Sequence, residues 1–291
     1  MLTRYMEINK WWMGQFPESA YTTKNHDNYV GRVLRGCYRM KDSTALFCAI
    51  ARNVEETLPY TIARIERSGG MFKAWHCFIY ENDSTDNTKN ILAQWSKCPN
   101  ITVVSEDLGK VRHKQDMTLD RTKDMAQYRN RYLDFAKTYR PTWDYMLVFD
   151  TDLQGGWSYE GVANSFGHEG WDVIGSNGLI YRNNPDNNNP EKLYYDTYAW
   201  RYLDDDTIHD EKVNLMKLNR GEEPFMVNSC FGGLAIYRNE CIASDIEYKG
   251  NDCDHPTLHK QIRNNGHTVW CNPSQITVYS PTRYSGDVDK S

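Results

Sequence analysis

The sequence lacks several features that would place it in a membrane-bound, secreted or nucleic-acid-binding class. No apolar run approaches the roughly 18 residues that a membrane-spanning helix needs. Residues 1–16 lack the continuous apolar stretch and the small-residue cleavage site of a secretory signal. The formal net charge is -5 and no basic stripe is visible, so there is no electrostatic footprint for nucleic acid. We expect a cytoplasmic protein with no integral membrane segment and no nucleic-acid partner.

The cysteines also lack the spacing of a metal or redox motif. None of the 8 cysteines forms a CxxC pair, which disfavours a zinc ribbon or a thioredoxin-type site. Several lie in strand-like runs, where a free cysteine behaves as a small hydrophobic residue. An even count permits disulfides, but without a secretory signal a reducing cytosol is the favoured interpretation. Internal repeats and low-complexity tracts are absent from the sequence as well.

Strand-like and helix-like segments alternate from residue 44 onward. Residues 1–43 have weak periodicity and are interpreted as an N-terminal extension, whereas 44–155 and 156–291 form two halves of one domain. Strands alternating with helices predict a mostly parallel α/β sheet. The polar stretch 181–192 is interpreted as a lid or acceptor-side insertion, with a simple surface loop as the alternative. The predicted strands are 44–51, 73–82, 100–106, 143–150 and 171–178, and the predicted helices are 55–70, 84–97 and 123–139.

Two acidic clusters follow strands of this predicted sheet. Asp150 and Asp152 come at the end of an apolar strand, with Thr151 between them, and Glu81, Asn82 and Asp83 fall at the carboxyl end of the second strand. Ligands of parallel α/β sheets bind beyond the carboxyl ends of the strands, so we expect both clusters at one edge. A buried carboxylate needs water, a cation or strong hydrogen bonds, and hard oxygen donors suit Mg²⁺ or Mn²⁺.

Four segments, in order, resemble the motifs of the large inverting family of GT-A glycosyltransferases. They are residues 47–58, 78–92, 126–136 and 147–152, the last of which has the aspartate spacing of that family's DxD metal motif. The resemblance implies a GT-A fold, that is, a single main domain with a Rossmann-like, mostly parallel twisted sheet flanked by helices. It also implies transfer of a sugar from a nucleoside diphosphate donor, UDP or GDP, to a glycan or glycoprotein acceptor, with inversion.

The same resemblance assigns roles to individual residues. Asp150 and Asp152 would hold Mn²⁺ or Mg²⁺ against the donor diphosphate, and residues 44–155 would bind the nucleotide sugar while 156–291 bind the acceptor. The family has paired aspartates where this chain has Glu81 and Asn82, and a glycine where it has Asp83. The implied nucleotide-sugar-binding residues are Ala51, Arg52, Asn53, Glu81, Asn82, Asp83, Arg129, Asp150, Thr151, Gly232 and Gly233.

The catalytic base is less clearly marked. Residues 251–274 resemble the family's acidic segment and place Asp254 and His255 on its Glu-Asp pair, so that a histidine stands where the base aspartate is expected. An inverting transferase needs one group to deprotonate the acceptor hydroxyl. Asp254 is the favoured candidate, followed by His255 and then Asp252. Alternatively, His255 is a third metal ligand, as a C-terminal histidine is in several retaining GT-A families.

Two other functions are compatible with the same patterns. A nucleotidyltransferase that makes a sugar nucleotide shares the α/β architecture and the need for a metal. It typically carries a Gly-rich, basic signature after the first strand, which residues 49–57 lack. A glycan-binding protein with a lapsed catalytic site is the non-enzymatic alternative, since the altered pair Asp254 and His255 leaves the base in question.

Overall fold

A ten-stranded sheet runs through the chain. The structure is a computed structural model that describes residues 14–113, 118–184 and 187–280. The strands are β1 (Thr44–Ala51), β2 (Ala74–Asn82), β3 (Ile101–Glu106), β4 (Tyr145–Phe149), β5 (Gly156–Trp157), β6 (Val173–Asn183), β7 (Pro190–Tyr194), β8 (Phe225–Val227), β9 (Leu234–Arg238) and β10 (Val269–Ser280). Their order is β3-β2-β1-β4-β9-β6-β10-β5, with β7 paired to β6 and β8 paired to β10.

Most strands of the sheet run in the same direction. β1, β2, β3, β4, β6 and β10 run the same way, whereas β5, β7, β8 and β9 run antiparallel to their neighbours. The predicted α/β fold with a mostly parallel sheet is therefore confirmed. The four strands of the first half also begin and end within two residues of the predicted bounds; β2, for example, is Ala74–Asn82 against a predicted 73–82.

Helices cover both faces of this sheet. Along β1, Phe47 and Ala49 belong to one apolar cluster and Leu46 and Cys48 to the other, as expected for side chains that alternate across a strand. The first cluster includes residues of α1, α2, α3 and α5, and the second includes residues of α4 and α7. The helices are α1 (His26–Asp42), α2 (Leu58–Gly69), α3 (Thr88–Trp95), α4 (Leu119–Thr138), α5 (Tyr159–Phe166), α6 (Asp210–Asn214) and α7 (Asp254–Asn264).

Strand β9 was not predicted to reverse direction. It lies between β4 and β6 and runs antiparallel to both. All five residues of β4 are buried, because its two faces pack in the two apolar clusters; its edges pair with β1 and β9. The alternation of strands and helices in the first half predicts the parallel pairing of β4 with β1. It does not predict that β9, from the second half of the chain, inserts beside β4.

The extension contains a helix that the weak periodicity did not indicate. α1 packs against α5, and a Cβ built on Gly36 would lie 1.7 Å from the carbonyl oxygen of Ala163, so only glycine permits this approach. Residues 1–13 of the predicted extension lie outside the described residues. None of the helices in the described ranges is long and apolar enough to cross a bilayer.

The polar stretch 181–192 forms much of a hairpin between β6 and β7, whose residues 185 and 186 are not described. β7 leads directly to Tyr195 and Asp196, which brings this insertion to the site described below. All eight cysteines fall within the described residues, and each of them is a free thiol.

Candidate functional site

A cleft of about 390 Å³ lies at the carboxyl ends of β1, β2 and β4. Residues of α4, the start of α7 and the turn after β7 complete its wall. This is the edge at which ligands of parallel α/β sheets bind. The arginine, aspartate and histidine side chains that line the cleft are Arg52, Arg112, His113, Arg121, Arg129, Asp150, Asp152, Asp196, Asp254 and His255.

The turn that carries Asp150 and Asp152 is fixed by its own backbone. The N–H of Asp150 donates to the carbonyl oxygen of Gly233 at 3.0 Å. The carbonyl oxygen of Thr151 accepts hydrogen bonds from two hydroxyls of the neighbouring segment, Thr57 at 3.0 Å and Thr61 at 3.1 Å. With these anchors on both sides, the two carboxylates are presented by a rigid turn rather than by a loose loop.

Arg64 of α2 secures the next part of the same turn. Its guanidinium is buried and donates to the carbonyl oxygens of Leu153 at 2.9 Å and Gln154 at 3.0 Å. Burial lowers the pKa of Arg64 to about 10, so the side chain remains charged at neutral pH. Thr57, at the N-cap of α2, and Thr61 and Arg64, within it, therefore hold the carbonyl groups of Thr151, Leu153 and Gln154.

The electrostatics of the aspartate pair favour a cation. Burial is the largest cause that raises the pKa of Asp150 above its ordinary value; Arg129 opposes this, and the charge of Asp152 adds to it. Burial likewise raises the pKa of Asp152. Two crowded carboxylates of this kind fit Mg²⁺ or Mn²⁺, whose remaining ligands can come from water and substrate phosphates. Within the described residues, no three His, Cys, Asp or Glu side chains are grouped as a metal-binding set, and a role for His255 as third ligand stays a prediction.

Arg129 of α4 connects the two halves of the site. It is buried and donates through Nε to Oδ2 of Asp254, while Nη2 lies 3.6 Å from Oδ1 of Asp150. Its guanidinium also lies 5.4 Å from the ring centroid of Phe231. Arg129 therefore forms ion pairs with Asp150, which follows β4, and with Asp254, the first residue of α7.

Asp254 and His255 differ in how fully they are engaged. Oδ2 of Asp254 accepts from Arg129, and Oδ1 accepts from the thiol of Cys253 at 3.3 Å. Burial alone would raise the pKa of Asp254, but Arg129, followed by His255 and these hydrogen bonds, lowers it below the usual range. Asp254 is therefore an ionised carboxylate with both oxygens occupied.

His255 presents a free nitrogen instead. Its ring stacks on Phe231 with centroids 3.7 Å apart, and Nδ1 lies 3.5 Å from the hydroxyl of Tyr237. Nε2 is buried and has no hydrogen-bond partner among the described residues. Burial, followed by the charge of Arg129, lowers the pKa of His255 well below its ordinary value, so the imidazole is neutral. Asp252 is not in the cleft wall, because it pairs with buried Arg201 at 2.9 Å.

The turns after β1 and β2 interlock. The N–H of Asn53 donates to the Ser84 hydroxyl at 3.0 Å, and its side-chain oxygen accepts from the N–H of Thr85 at 2.7 Å. Asn53 and Asp83 have positive φ values of 51° and 53°, which asparagine and aspartate tolerate better than most residues. This explains why Asp83 can stand where the related motif has glycine. Ala51, Arg52, Asn82 and Thr151 line the cleft, whereas Asn53 and Asp83 lie behind its wall.

Glu81 is not brought into the cleft wall. Its carboxylate is fully buried, and it accepts from the N–H of Ser84 at 2.8 Å and from the hydroxyl of Ser105. Both oxygens thus hold the turn after β2 and the neighbouring strand β3. Its companion Asn82 does line the cleft and donates to Asp83 at 3.0 Å.

Gly232 and Gly233 do not line the cleft, but they support the turn that carries Asp150. They have φ values of 59° and 85°, and a Cβ on Gly232 would lie 2.3 Å from the carbonyl oxygen of Ser176. The two glycines let the chain turn sharply into β9, so that the Gly233 carbonyl meets the N–H of Asp150.

Comparisons with known proteins add little to this geometry. No protein-family model and no curated protein matches the sequence. The structure is similar to a mannosyltransferase, PcManGT, from Pyrobaculum calidifontis in complex with GDP-Man and Mn²⁺, at 13% identity and a TM-score of 0.48 over 86% of this chain. It is also similar to GalNAc-T7 with UDP, GalNAc and Mn²⁺ (11% identity, TM-score 0.46, 82% of this chain) and to S. aureus TarS 1-349 (12%, 0.40, 81%).

This chain covers 65%, 44% and 57% of the lengths of those three structures. Each of these three TM-scores is below 0.5, so the similarities assign no function to this chain.

The structure also brings residues to the cleft that the motifs did not indicate. Tyr195 donates its hydroxyl to Oδ2 of Asp150 at 3.0 Å and stacks on Tyr279, with ring centroids 4.4 Å apart. Asp196 follows in the cleft wall, and Arg112 lies close enough to lower the pKa of Asp152. Tyr195 and Asp196 sit in the irregular second half, where the sequence offers no strand-end signal, so only tertiary structure reveals them.

Proposed function

We propose that the protein is a metal-dependent glycosyltransferase of the GT-A type, which moves a sugar from a UDP or GDP donor to a glycan or glycoprotein acceptor. One observation carries this proposal: the cleft at the strand ends joins Asp150 and Asp152 with a buried arginine and the pair Asp254 and His255. Paired carboxylates beside a fixed guanidinium suit a diphosphate that must be bound and released. Residues 44–155 then form the donor side, and 156–291 form the acceptor side.

Asp150 and Asp152 would hold the Mn²⁺ or Mg²⁺ ion, which, when bound, supplies Lewis-acid stabilisation of the leaving diphosphate. Arg129 orients Asp150 through their ion pair and adds positive charge on the same side of the cleft. Ala51, Arg52, Asn82 and Thr151 shape the space for the nucleotide, and Asn53, Glu81 and Asp83 fix the turns that carry them.

For the proton of the acceptor hydroxyl, we propose His255 ahead of Asp254. Nε2 of His255 is buried and unpartnered among the described residues, whereas both oxygens of Asp254 already accept hydrogen bonds. Transfer with inversion needs one base at this position. Asp254 then acts by fixing Arg129 and placing the first turn of α7.

The proposal is tested by release of UDP or GDP from a panel of nucleotide sugars, with and without Mn²⁺. We expect Mn²⁺-dependent release for at least one donor, and calorimetry should show Mn²⁺-dependent nucleotide binding that Asp152→Asn abolishes. Asp134→Asn, an exposed change on α4, is the matched control. Binding of UDP and GDP that is equally tight in Asp152→Asn would contradict the metal assignment, and pyrophosphate production from a nucleoside triphosphate and a sugar phosphate would favour a nucleotidyltransferase.

His255→Gln separates the two roles of the histidine. If His255 is the base, turnover falls by about 10²–10⁴-fold while donor affinity stays within a few-fold. A loss of Mn²⁺ affinity instead would assign His255 to the metal. The anomeric configuration of the product, determined by NMR, is the companion measurement, since retention would exclude an inverting base.

A further inference from the structure

Asp196 carries a buried carboxylate oxygen that has no part in the chemistry proposed above. The residue follows β7, at the start of a short 3₁₀ turn, and its backbone is left-handed at φ 69° and ψ 50°. The side chain lines the cleft, and Oδ2 is buried with no hydrogen-bond partner among the described residues. A buried carboxylate oxygen without a donor is unfavourable, so this position is suited to a ligand that brings one.

The protein groups around Asp196 leave this need unmet. The backbone N–H of Gly232 interacts favourably with the carboxylate, but Asp150 and Asp254 bring negative charge towards it. Arg129 is the cation that acts on Asp196 within the described residues, and it is already paired with both of those aspartates. Additional hydrogen-bond donors therefore have to come from the bound molecule.

Neighbouring aromatic rings indicate which molecule. Tyr195 and Tyr279 form a parallel stack with an interplanar angle of 6°, and both line the cleft beside Asp196, as does Tyr198. Tyrosines next to a carboxylate offer apolar surface for C–H groups and an acceptor for hydroxyl groups. A sugar ring carries both kinds of group, whereas a nucleotide phosphate offers oxygen acceptors and no hydroxyl donors to this oxygen.

The position along the cleft favours the donor sugar. Tyr195, the residue before Asp196, donates its hydroxyl to Asp150. The side chains of Tyr195 and Asp196 therefore lie next to the proposed diphosphate site. In a nucleotide sugar, the sugar is attached to the diphosphate at that end. We propose that Asp196 accepts hydrogen bonds from hydroxyl groups of the transferred sugar and thereby selects the sugar, an inference that rests on the proposed function.

Asp196→Asn tests this assignment, because asparagine tolerates the left-handed backbone and changes no more than the charge and one acceptor. Asp204→Asn is the matched control, since Asp204 is also left-handed (φ 62°) but exposed and outside the cleft. Calorimetry with Mn²⁺ would compare UDP and GDP with UDP-glucose, UDP-galactose, UDP-N-acetylglucosamine and GDP-mannose. We expect unchanged affinity for the nucleotide and a loss of roughly ten- to a hundredfold for the preferred nucleotide sugar.

Three results would overturn the inference, and they are distinguishable. Equal loss for the nucleotide and the nucleotide sugar would place Asp196 at the metal and diphosphate. If Asp196→Asn binds every nucleotide sugar as tightly as the wild-type protein and transfers sugar at the wild-type rate, Asp196 has no role in sugar selection. If the wild-type protein binds none of the six compounds with Mn²⁺, the proposed function itself fails and the inference fails with it.

Discussion

The carbonyl oxygen of Thr151 is shared by two threonines, and this sharing predicts a specific pattern of stability. Thr57 and Thr61 lie one helical turn apart, and both hydroxyls donate to that oxygen, at 3.0 and 3.1 Å. Replacing either by valine removes a hydroxyl while keeping the shape of the side chain. After either single change, the carbonyl still has one donor.

The expected magnitudes follow from that geometry. Each single change, Thr57→Val or Thr61→Val, should lower the free energy of unfolding by about 0.5–1.5 kcal/mol, the net value of one hydrogen bond. The double change leaves a carbonyl at the buried Thr151 without either hydroxyl, and such an unsatisfied group costs a further ~1–3 kcal/mol. The double variant should therefore lose more stability than the two single variants added together.

Urea unfolding followed by circular dichroism measures the four proteins of this cycle. Thr138→Val is the control, because its hydroxyl donates to carbonyls at the exposed end of α4. If the Thr151 turn presents the aspartates, Mn²⁺-dependent nucleotide affinity should fall in the double variant at urea concentrations where it is still folded. If the losses of the two single variants simply add up in the double variant, the two threonines do not share the Thr151 carbonyl. If the double variant keeps wild-type nucleotide affinity, the turn does not position the aspartates for binding.

Three further predictions concern other parts of the chain. Asp86→Ala should cost about 1 kcal/mol in urea unfolding with unchanged nucleotide affinity, because Asp86 accepts from the N–H groups of Thr88 and Glu55, both at 3.0 Å; a large loss of binding would show a direct role in the site. Burial, followed by the charge of Arg32, lowers the pKa of His168 to about 4 in the folded protein. Because the unfolded chain then binds a proton at higher pH than the folded protein does, the free energy of unfolding should fall as pH decreases from about 6.5 to about 4. This dependence on pH must be smaller in His168→Asn. Asp254→Asn should cost about 3–5 kcal/mol, since it removes one partner of the buried charge on Arg129, and a wild-type unfolding midpoint would contradict that ion pair.

Local pattern was sufficient to predict the first half of the fold. The strand Tyr145–Phe149 is continuously apolar because it is buried on both faces, and such a run followed by acidic residues marks a strand that ends at a ligand site. The cleft indeed contains Asp150 and Asp152 at that strand end, together with Asn82 and Arg129 from the other motifs. Whether they bind a nucleotide sugar stays a prediction.

The remainder depends on contacts that no local pattern contains. Glu81 lies at the end of β2, as Asp150 lies at the end of β4. However, Ser84 and Ser105 hold the carboxylate of Glu81 away from the cleft. The ion pair of Arg129 with Asp254 joins residues 125 positions apart, and a motif shows only that each is present. Tyr195 and Asp196 reach the site because β7 pairs with β6 in a hairpin, and the polar stretch 181–192 did not predict those paired strands.

The position of β9 has a consequence for attempts to divide this protein. Residues 234–238 fill the gap between β4 and β6, so a fragment that ends near residue 155 would leave one full edge of β4 unpaired. Exposed, apolar strand edges recruit other chains. We therefore expect that residues 44–155 cannot be isolated as a stable piece, and that on the ribosome the central sheet is completed only after β9 has emerged from the exit tunnel.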